Sequence, residues 1–252
     1  MEKQEIFKTI EEYKKGLEEK GYKVIYIGLY GSQNYNVDDE LSDIDCKAII
    51  LPSLHDIIFR KNTSKVIEFE NGEVDVKDLI TFYEVIRKGN FSYIEAIDTE
   101  YYIGDEYIKN LFKQIRPNFK SILGAMYEKR KALTHEYPSK KEEFEKWGFD
   151  PKQYHHIKRL QTLLAHNVVE KENVSYLKYY NVKRKHMINV KRNTGNLSKE
   201  FVEEESDKLI EHAKELLPDD YTYEPLDLSE EVSIYLEEHL KSELMEGKNE
   251  RI

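Results

Sequence analysis

Hydrophobic positions recur every three to four residues at the start of the chain. Ile6, Ile10, Tyr13 and Leu17 share one face, and Gly21 supplies a stop, so the pattern predicts an amphipathic helix. The pattern then changes. "YKVIYIGLYG" is a run of β-branched and aromatic residues and predicts a buried strand, and "SDIDCKAIILP" predicts a second strand ended by Pro52. "KVIEFENGEVDVKDL" alternates about Asn71-Gly72 and predicts a hairpin with those two residues as its turn. Helical spacing returns in "DLITFYEVIRKGN", which stops at Gly89-Asn90, and "FSYIEAI" opens a further helix for which Asn90 reads as the N-cap.

Beyond about residue 115 the alternating runs disappear. "FKSILGAMYEKRKALTHEY", "PKQYHHIKRLQTLLAHNVV" and "SKEFVEEESDKLIEHAKELL" all carry the helical period, and Pro117, Pro138 and Pro151 punctuate them. The expected class is α+β: a small mixed sheet flanked by helices in residues 1–116, followed by an all-helical module in residues 117–252.

Composition narrows the setting. The chain has 252 residues, 39% apolar and 35% charged, with a single cysteine, Cys46. No apolar run is long enough to span a membrane, and the N-terminus lacks the apolar core of a signal peptide. One cysteine allows no intramolecular disulfide and fits a reducing compartment, so the expectation is a cytoplasmic protein with no membrane partner. The net charge of −10 argues against indiscriminate coating of nucleic acid. Charge is uneven, however: ten basic residues lie between Lys152 and Arg192, opposed by Glu170 and Glu172. Such a segment can hold phosphates locally, and Tyr176, Tyr179 and Tyr180 within it could stack bases of single-stranded RNA or simply pack.

The chemistry concentrates in "YIGLYGSQNYNVDDELSDIDCKAII". Asp43 and Asp45 are two residues apart, so on a strand they point the same way while Ile44 points opposite. Two carboxylates that close are costly unless a positive charge lies between them, and a divalent cation would supply it. Gly31 allows the backbone to approach a ligand, and the Ser32 hydroxyl with nearby amides can bind phosphate oxygens. Downstream, Asp75 lies between Val74 and Val76; if the valines face the core, Asp75 faces the acid pair, with Glu73 as its rival for the third carboxylate. Cys46, next to Asp45, falls on the buried side.

A hydrophobic strand, Gly-Ser, about ten residues and then Asp-hydrophobic-Asp resembles the DNA polymerase β nucleotidyltransferase superfamily. "VDVKDLITFYEVIRKGNFSYIEAI" is similar to the helix and Lys-Gly-Asn-x-x-x-x-Glu block of its RNA-repair-associated (RlaP-like) branch, containing Lys88, Asn90 and Glu95. "GFDPKQYHHIKRLQ" is similar to that branch's Lys-x-x-x-His-x-x-Arg-Leu helix, at Lys152, His156, Arg159 and Leu160. "VKRNTGNLSKEFVEE" resembles its later Arg-x-x-Gly-x-Leu-Ser segment. The chain departs from the pattern at Asn36, which stands where the family has glycine. The resemblance implies a polymerase-β-like head and transfer of a nucleoside monophosphate from an NTP to an acceptor hydroxyl. It implies Mg²⁺ or Mn²⁺ held by Asp43, Asp45 and Asp75. Nucleotide would be bound by Gly31, Ser32, Lys152, His156 and Arg159, and RNA is the favoured acceptor. A catalytically silent nucleotide- or RNA-binding module, and transfer to a protein or small-molecule hydroxyl, are the alternatives. Arg130 and His135 have the Arg-x-x-x-x-His spacing of HEPN-type ribonucleases, a pattern too short to carry weight.

Overall fold

The computed structural model describes residues 2–172 and 174–249. The chain folds as two compact units. The first comprises residues 1–31, 43–115 and 225–252, and the second residues 32–42 and 116–224. Where the sequence pattern divides the chain once near residue 116, the structure also assigns the C-terminal segment to the first unit and the segment between Gly31 and Asp43 to the second.

The first unit is a five-stranded mixed sheet between helices, and the class is α+β. Helix α1 (Lys3–Glu19) buries Ile6, Ile10, Tyr13 and Leu17, the residues its period selects. Strands β1 (Lys23–Tyr30), β2 (Asp45–Leu51), β3 (Lys65–Phe69), β4 (Gly72–Asp78) and β5 (Tyr102–Gly104) lie in the order β3-β4-β2-β1-β5. β2 runs antiparallel to β1 and parallel to β4, so the connection between β2 and β4 crosses over through α2 (Leu54–Ile58) and the edge strand β3. α1 covers one face, packing on Ile27, Leu29, Cys46, Ala48, Ile50, Val74 and Val76. The other face, with Tyr26, Ile49 and Leu51, is covered by α3 (Leu79–Ile86), α4 (Phe91–Asp98), α5 (Glu106–Phe112) and α11 (Ser229–Asn249).

The hairpin forms, but one residue earlier than its Asn-Gly pair suggests. Phe69 pairs with Gly72, so Glu70 and Asn71 make the turn and Gly72 opens β4. Gly72 has φ +151°, and a Cβ there would lie 2.3 Å from the Ile44 carbonyl oxygen. The Asn71 carbonyl accepts the Ile44 N–H at 2.8 Å. The hairpin tip is therefore pressed against the backbone between Asp43 and Asp45, an approach that only glycine permits.

The second unit is helical: α6 (Phe119–Leu133), a single 3₁₀ turn (Pro138–Lys140), α7 (Lys141–Trp147), α8 (Pro151–Val169), α9 (Asn181–Arg192) and α10 (Lys199–Glu215). α8 packs against α6, α9 and α10, and its Ile157, Leu160, Leu163 and Leu164 are buried. Asp150 and Ser198 cap α8 and α10 through side-chain acceptors, as their residue types favour. No helix among the described residues is long and apolar enough to cross a membrane.

Candidate active site

Strand register determines which side chains meet on the sheet face opposite α1. Across β1 and β2, Tyr30 pairs with Asp45 and Gly28 with Lys47. Across β2 and β4, Lys47 pairs with Asp75, and across β4 and β3, Glu73 pairs with Glu68. Paired residues on adjacent strands point to the same face, so Tyr30, Asp45, Lys47, Glu73 and Asp75 share one surface. Asp45 opens β2 and is half-buried; Asp43 precedes the strand and is exposed, while Ile44 between them is buried on the α1 side. The Glu73 N–H donates to Asp45 Oδ1 at 3.3 Å, bringing Glu73 beside the acid pair.

Asp75 lies one pair further along the strand, and cations already hold it. Lys47 Nζ donates to Asp75 Oδ2 at 3.2 Å, Lys77 Nζ to Oδ1 at 3.1 Å, and the Tyr93 hydroxyl of α4 to Oδ2 at 2.5 Å. Lys47 is the unusual member, since only 6% of its side chain is exposed. Its ammonium lies between two aromatic faces, 4.4 Å from the Tyr30 ring centroid and 4.1 Å from that of Tyr93. Burial lowers the Lys47 amine below its ordinary value, and the Asp75 charge works against that shift. Burial disfavours the Asp75 carboxylate too, but the Lys47 charge and the hydrogen bonds from Tyr93 and Lys77 outweigh it, and its carboxyl sits below the usual range. The period-2 pattern that put Asp43 and Asp45 together extends to Lys47, a signal present in the sequence but not read from it.

The Gly-Ser turn is anchored from α4. Gly31 has φ +117°, in the region that favours glycine, and its N–H donates at 3.0 Å to Oε1 of Glu95, which is fully buried. Glu95 thus supports the backbone of the turn, and Asn90 caps α4 as its type suggests, its side chain accepting from Ser92 N–H. Ser32 is half-buried, and its carbonyl accepts the Val37 N–H at 3.0 Å. Asn36 has φ +59°, a left-handed conformation that asparagine tolerates, and its Nδ2 donates to the Tyr179 carbonyl at 2.7 Å. Asn36 thus takes a backbone conformation that glycine would also adopt, and its side chain adds a contact.

Within the second unit, Lys152 is exposed, His156 half-buried and Arg159 buried along α8. The Arg159 guanidinium lies 3.9 Å from the Tyr35 ring centroid. His155, adjacent to the histidine singled out from the sequence, is 2% exposed, and neither of its ring nitrogens has a hydrogen-bond partner. Burial, reinforced by the surrounding cations Arg159, Lys191, Lys152 and Arg192, lowers it to about 3. Tyr179 packs with Tyr35, Val37 and Met187, while Tyr180 is exposed. Arg130 grips Asp207 of α10 at 2.7 and 3.1 Å, an ordinary helix-to-helix ion pair.

For a metal, the donors near β2 are hard carboxylate oxygens of the kind Mg²⁺ prefers. Asp43 and Asp45, with Glu73 alongside, fit that chemistry. The oxygens of Asp75 are engaged by lysines, so ligation there requires those bonds to yield. Among the described residues, the set of three ligand side chains that converges within 4.8 Å is instead His166, Glu170 and Glu172 at the end of α8, half-buried to exposed.

No protein-family model matches the chain, and none of the curated proteins matches it. Among solved structures, the chain is similar to a nucleotidyltransferase-like protein from Exiguobacterium sibiricum 255-15, at 16% identity. The match covers 77% of this chain and 68% of that one, with a TM-score of 0.25. So distant a likeness carries no argument about chemistry, which rests on the residues themselves.

Proposed function

We propose that this protein is a Mg²⁺- or Mn²⁺-dependent nucleotidyltransferase that moves a nucleoside monophosphate from an NTP to an acceptor hydroxyl, with RNA the favoured acceptor. One observation carries the reading: Asp43 and Asp45 flank the start of β2, next to a sheet neighbour whose end, Tyr30-Gly31, is anchored by the buried Glu95. The metal supplies charge at the phosphates and activation of the attacking hydroxyl. Asp43 and Asp45 would hold it, with Asp75 as the third ligand once Lys47 and Lys77 release it. The Gly31 backbone and Ser32 would orient the triphosphate, and Lys152, His156 and Arg159 would bind phosphates. The acceptor hydroxyl would give up its proton to solvent as its oxygen bonds to the α-phosphorus, the bond from that phosphorus to the bridging oxygen would break, and pyrophosphate would leave with the electron pair. The RNA preference and assignment to the RNA-repair-associated branch rest on the motif resemblance and on the basic segment of an otherwise acidic chain.

A second reading is a catalytically silent nucleotide- or RNA-binding module. It is favoured by one specific feature, the engagement of both Asp75 oxygens by lysines and Tyr93. Transfer to a protein or small-molecule hydroxyl is the third, and the net negative charge suits it.

The test offers each NTP, labelled on the α-phosphate, with Mg²⁺ or Mn²⁺ and with total RNA, a protein extract or no acceptor. Label in RNA from wild type, and a loss of about a thousandfold or more in Asp43→Ala/Asp45→Ala, is the expected result. Metal-dependent nucleotide binding with no transfer would replace it with the silent module. Retained transfer in the folded double variant would sink the metal assignment.

A further inference from the structure

The basic residues between Lys152 and Arg192 read from the sequence as phosphate binders, yet several of them grip the segment 32–42. Arg192 donates through Nε and Nη2 to the two oxygens of Asp39 at 2.7 and 2.6 Å. Lys191 Nζ donates to Ser42 Oγ at 2.8 Å and to the Val37 carbonyl at 3.3 Å. Arg184 Nη2 donates to the Asp38 carbonyl at 3.0 Å. Tyr179 N–H donates to the Tyr35 carbonyl at 2.8 Å, antiparallel in sense to the Asn36 bond already described.

This segment contains no regular helix or strand, and Gln33, Asn34, Tyr35, Val37 and Asp38 are nevertheless buried. A buried loop must find partners for its polar backbone, and here α9 and the chain before it provide several of them. A lysine ammonium as buried as Lys191 is costly unless its donors are satisfied, and its bonds go to the segment. The Arg192 fork adds a two-point, geometrically exacting tie to Asp39. The two ends of the segment adjoin the proposed chemistry: Ser32 follows Gly31, and Ser42 precedes Asp43.

We infer that Arg192 and Lys191 are positioning residues for nucleotidyl transfer, acting through the segment 32–42 to set Ser32 and Asp43. The inference rests on the nucleotidyltransferase reading. On this view the effect of these two side chains on transfer is indirect: neither need touch nucleotide, and their loss loosens the polypeptide that leads into the groups that do.

The experiment uses the full chain and compares Arg192→Met, Asp39→Asn, the double variant and Arg192→Lys. Hydrogen exchange of peptides covering 33–42 is read beside kcat and KM for transfer. Each single substitution should speed exchange in 33–42 and lower kcat/KM by about tenfold, in line with the sensitivity of transfer to sub-ångström placement. The double variant should be no worse than the worse single one, because both remove one tie, and Arg192→Lys should fall between Arg192→Met and wild type. Exchange in peptides from α6 and α10 should stay unchanged, which a general loosening of the helical unit would not allow. Unchanged exchange in 33–42, or faster exchange with wild-type kcat/KM, overturns the inference. A wild type that neither binds nor transfers nucleotide overturns the functional reading and this inference with it, and is distinguished from those failures because it needs no variant.

Discussion

The two units spend their ionic groups differently. In the sheet unit, charge is drawn inward: Lys47 is buried between Tyr30 and Tyr93 and pairs with Asp75 on the neighbouring strand. In the helical unit, the principal ion pairs tie elements together: Arg130 on α6 to Asp207 on α10, and Arg192 on α9 to Asp39. The difference teaches where function is to be sought. A helix-to-helix pair needs no ligand to explain it, whereas a lysine kept from water beside three carboxylate-bearing positions is costly for stability alone.

That contrast can be broken most forcefully at Lys47. Lys47→Met should destabilise the protein by about 2–3 kcal/mol, since it strips a buried carboxylate of one cation and loses two aromatic contacts. Urea unfolding measures it, and a loss under about 0.5 kcal/mol would make Lys47 an ordinary surface group. The effect at Asp39 should be smaller, about 1–2 kcal/mol for Asp39→Asn near neutral pH.

Its pH dependence sharpens the comparison. The hydrogen bonds from Arg192, aided by Ser42 and Lys191, hold the Asp39 carboxyl below the usual carboxylate range against the opposing effect of burial. A depressed folded-state value means the stabilisation is complete above the unfolded value of about 3.9 and is lost as pH falls below it. The stability gap between wild type and Asp39→Asn should therefore be constant from about pH 7 to 5 and close at lower pH. A gap that widened on acidification would contradict the ion pair. Smallest of all, Arg130→Ala should cost at most about 1 kcal/mol, because Asp207 is largely exposed; thermal unfolding decides, and a larger loss would show that surface ties in the helical unit matter as much as the buried pair in the sheet unit.

The parts of the fold legible in the sequence were those whose signal is local. The face of α1, the extent of α8 and the cap at Asn90 follow from periodicity and from side chains that bond to their own next turn. The hairpin was legible as well, but not its register: Asn-Gly favours a turn at those two residues, whereas the turn is Glu70-Asn71 and Gly72 opens β4 close against Ile44. The short β5 was not anticipated, because three residues carry too little alternation to be read.

For the candidate site, residue types and spacing identified Asp43, Asp45 and the Gly-Ser turn, since strand alternation is a property of the chain itself. Which groups touch them was decided by tertiary structure. Lys47 meets Asp75 only through the parallel pairing of β2 with β4, Gly31 meets Glu95 only because α4 packs on the sheet, and Asp39 meets Arg192 across 153 residues. No local pattern encodes such partners, because a hydrogen bond between distant segments depends on register and packing rather than on the spacing of either segment alone.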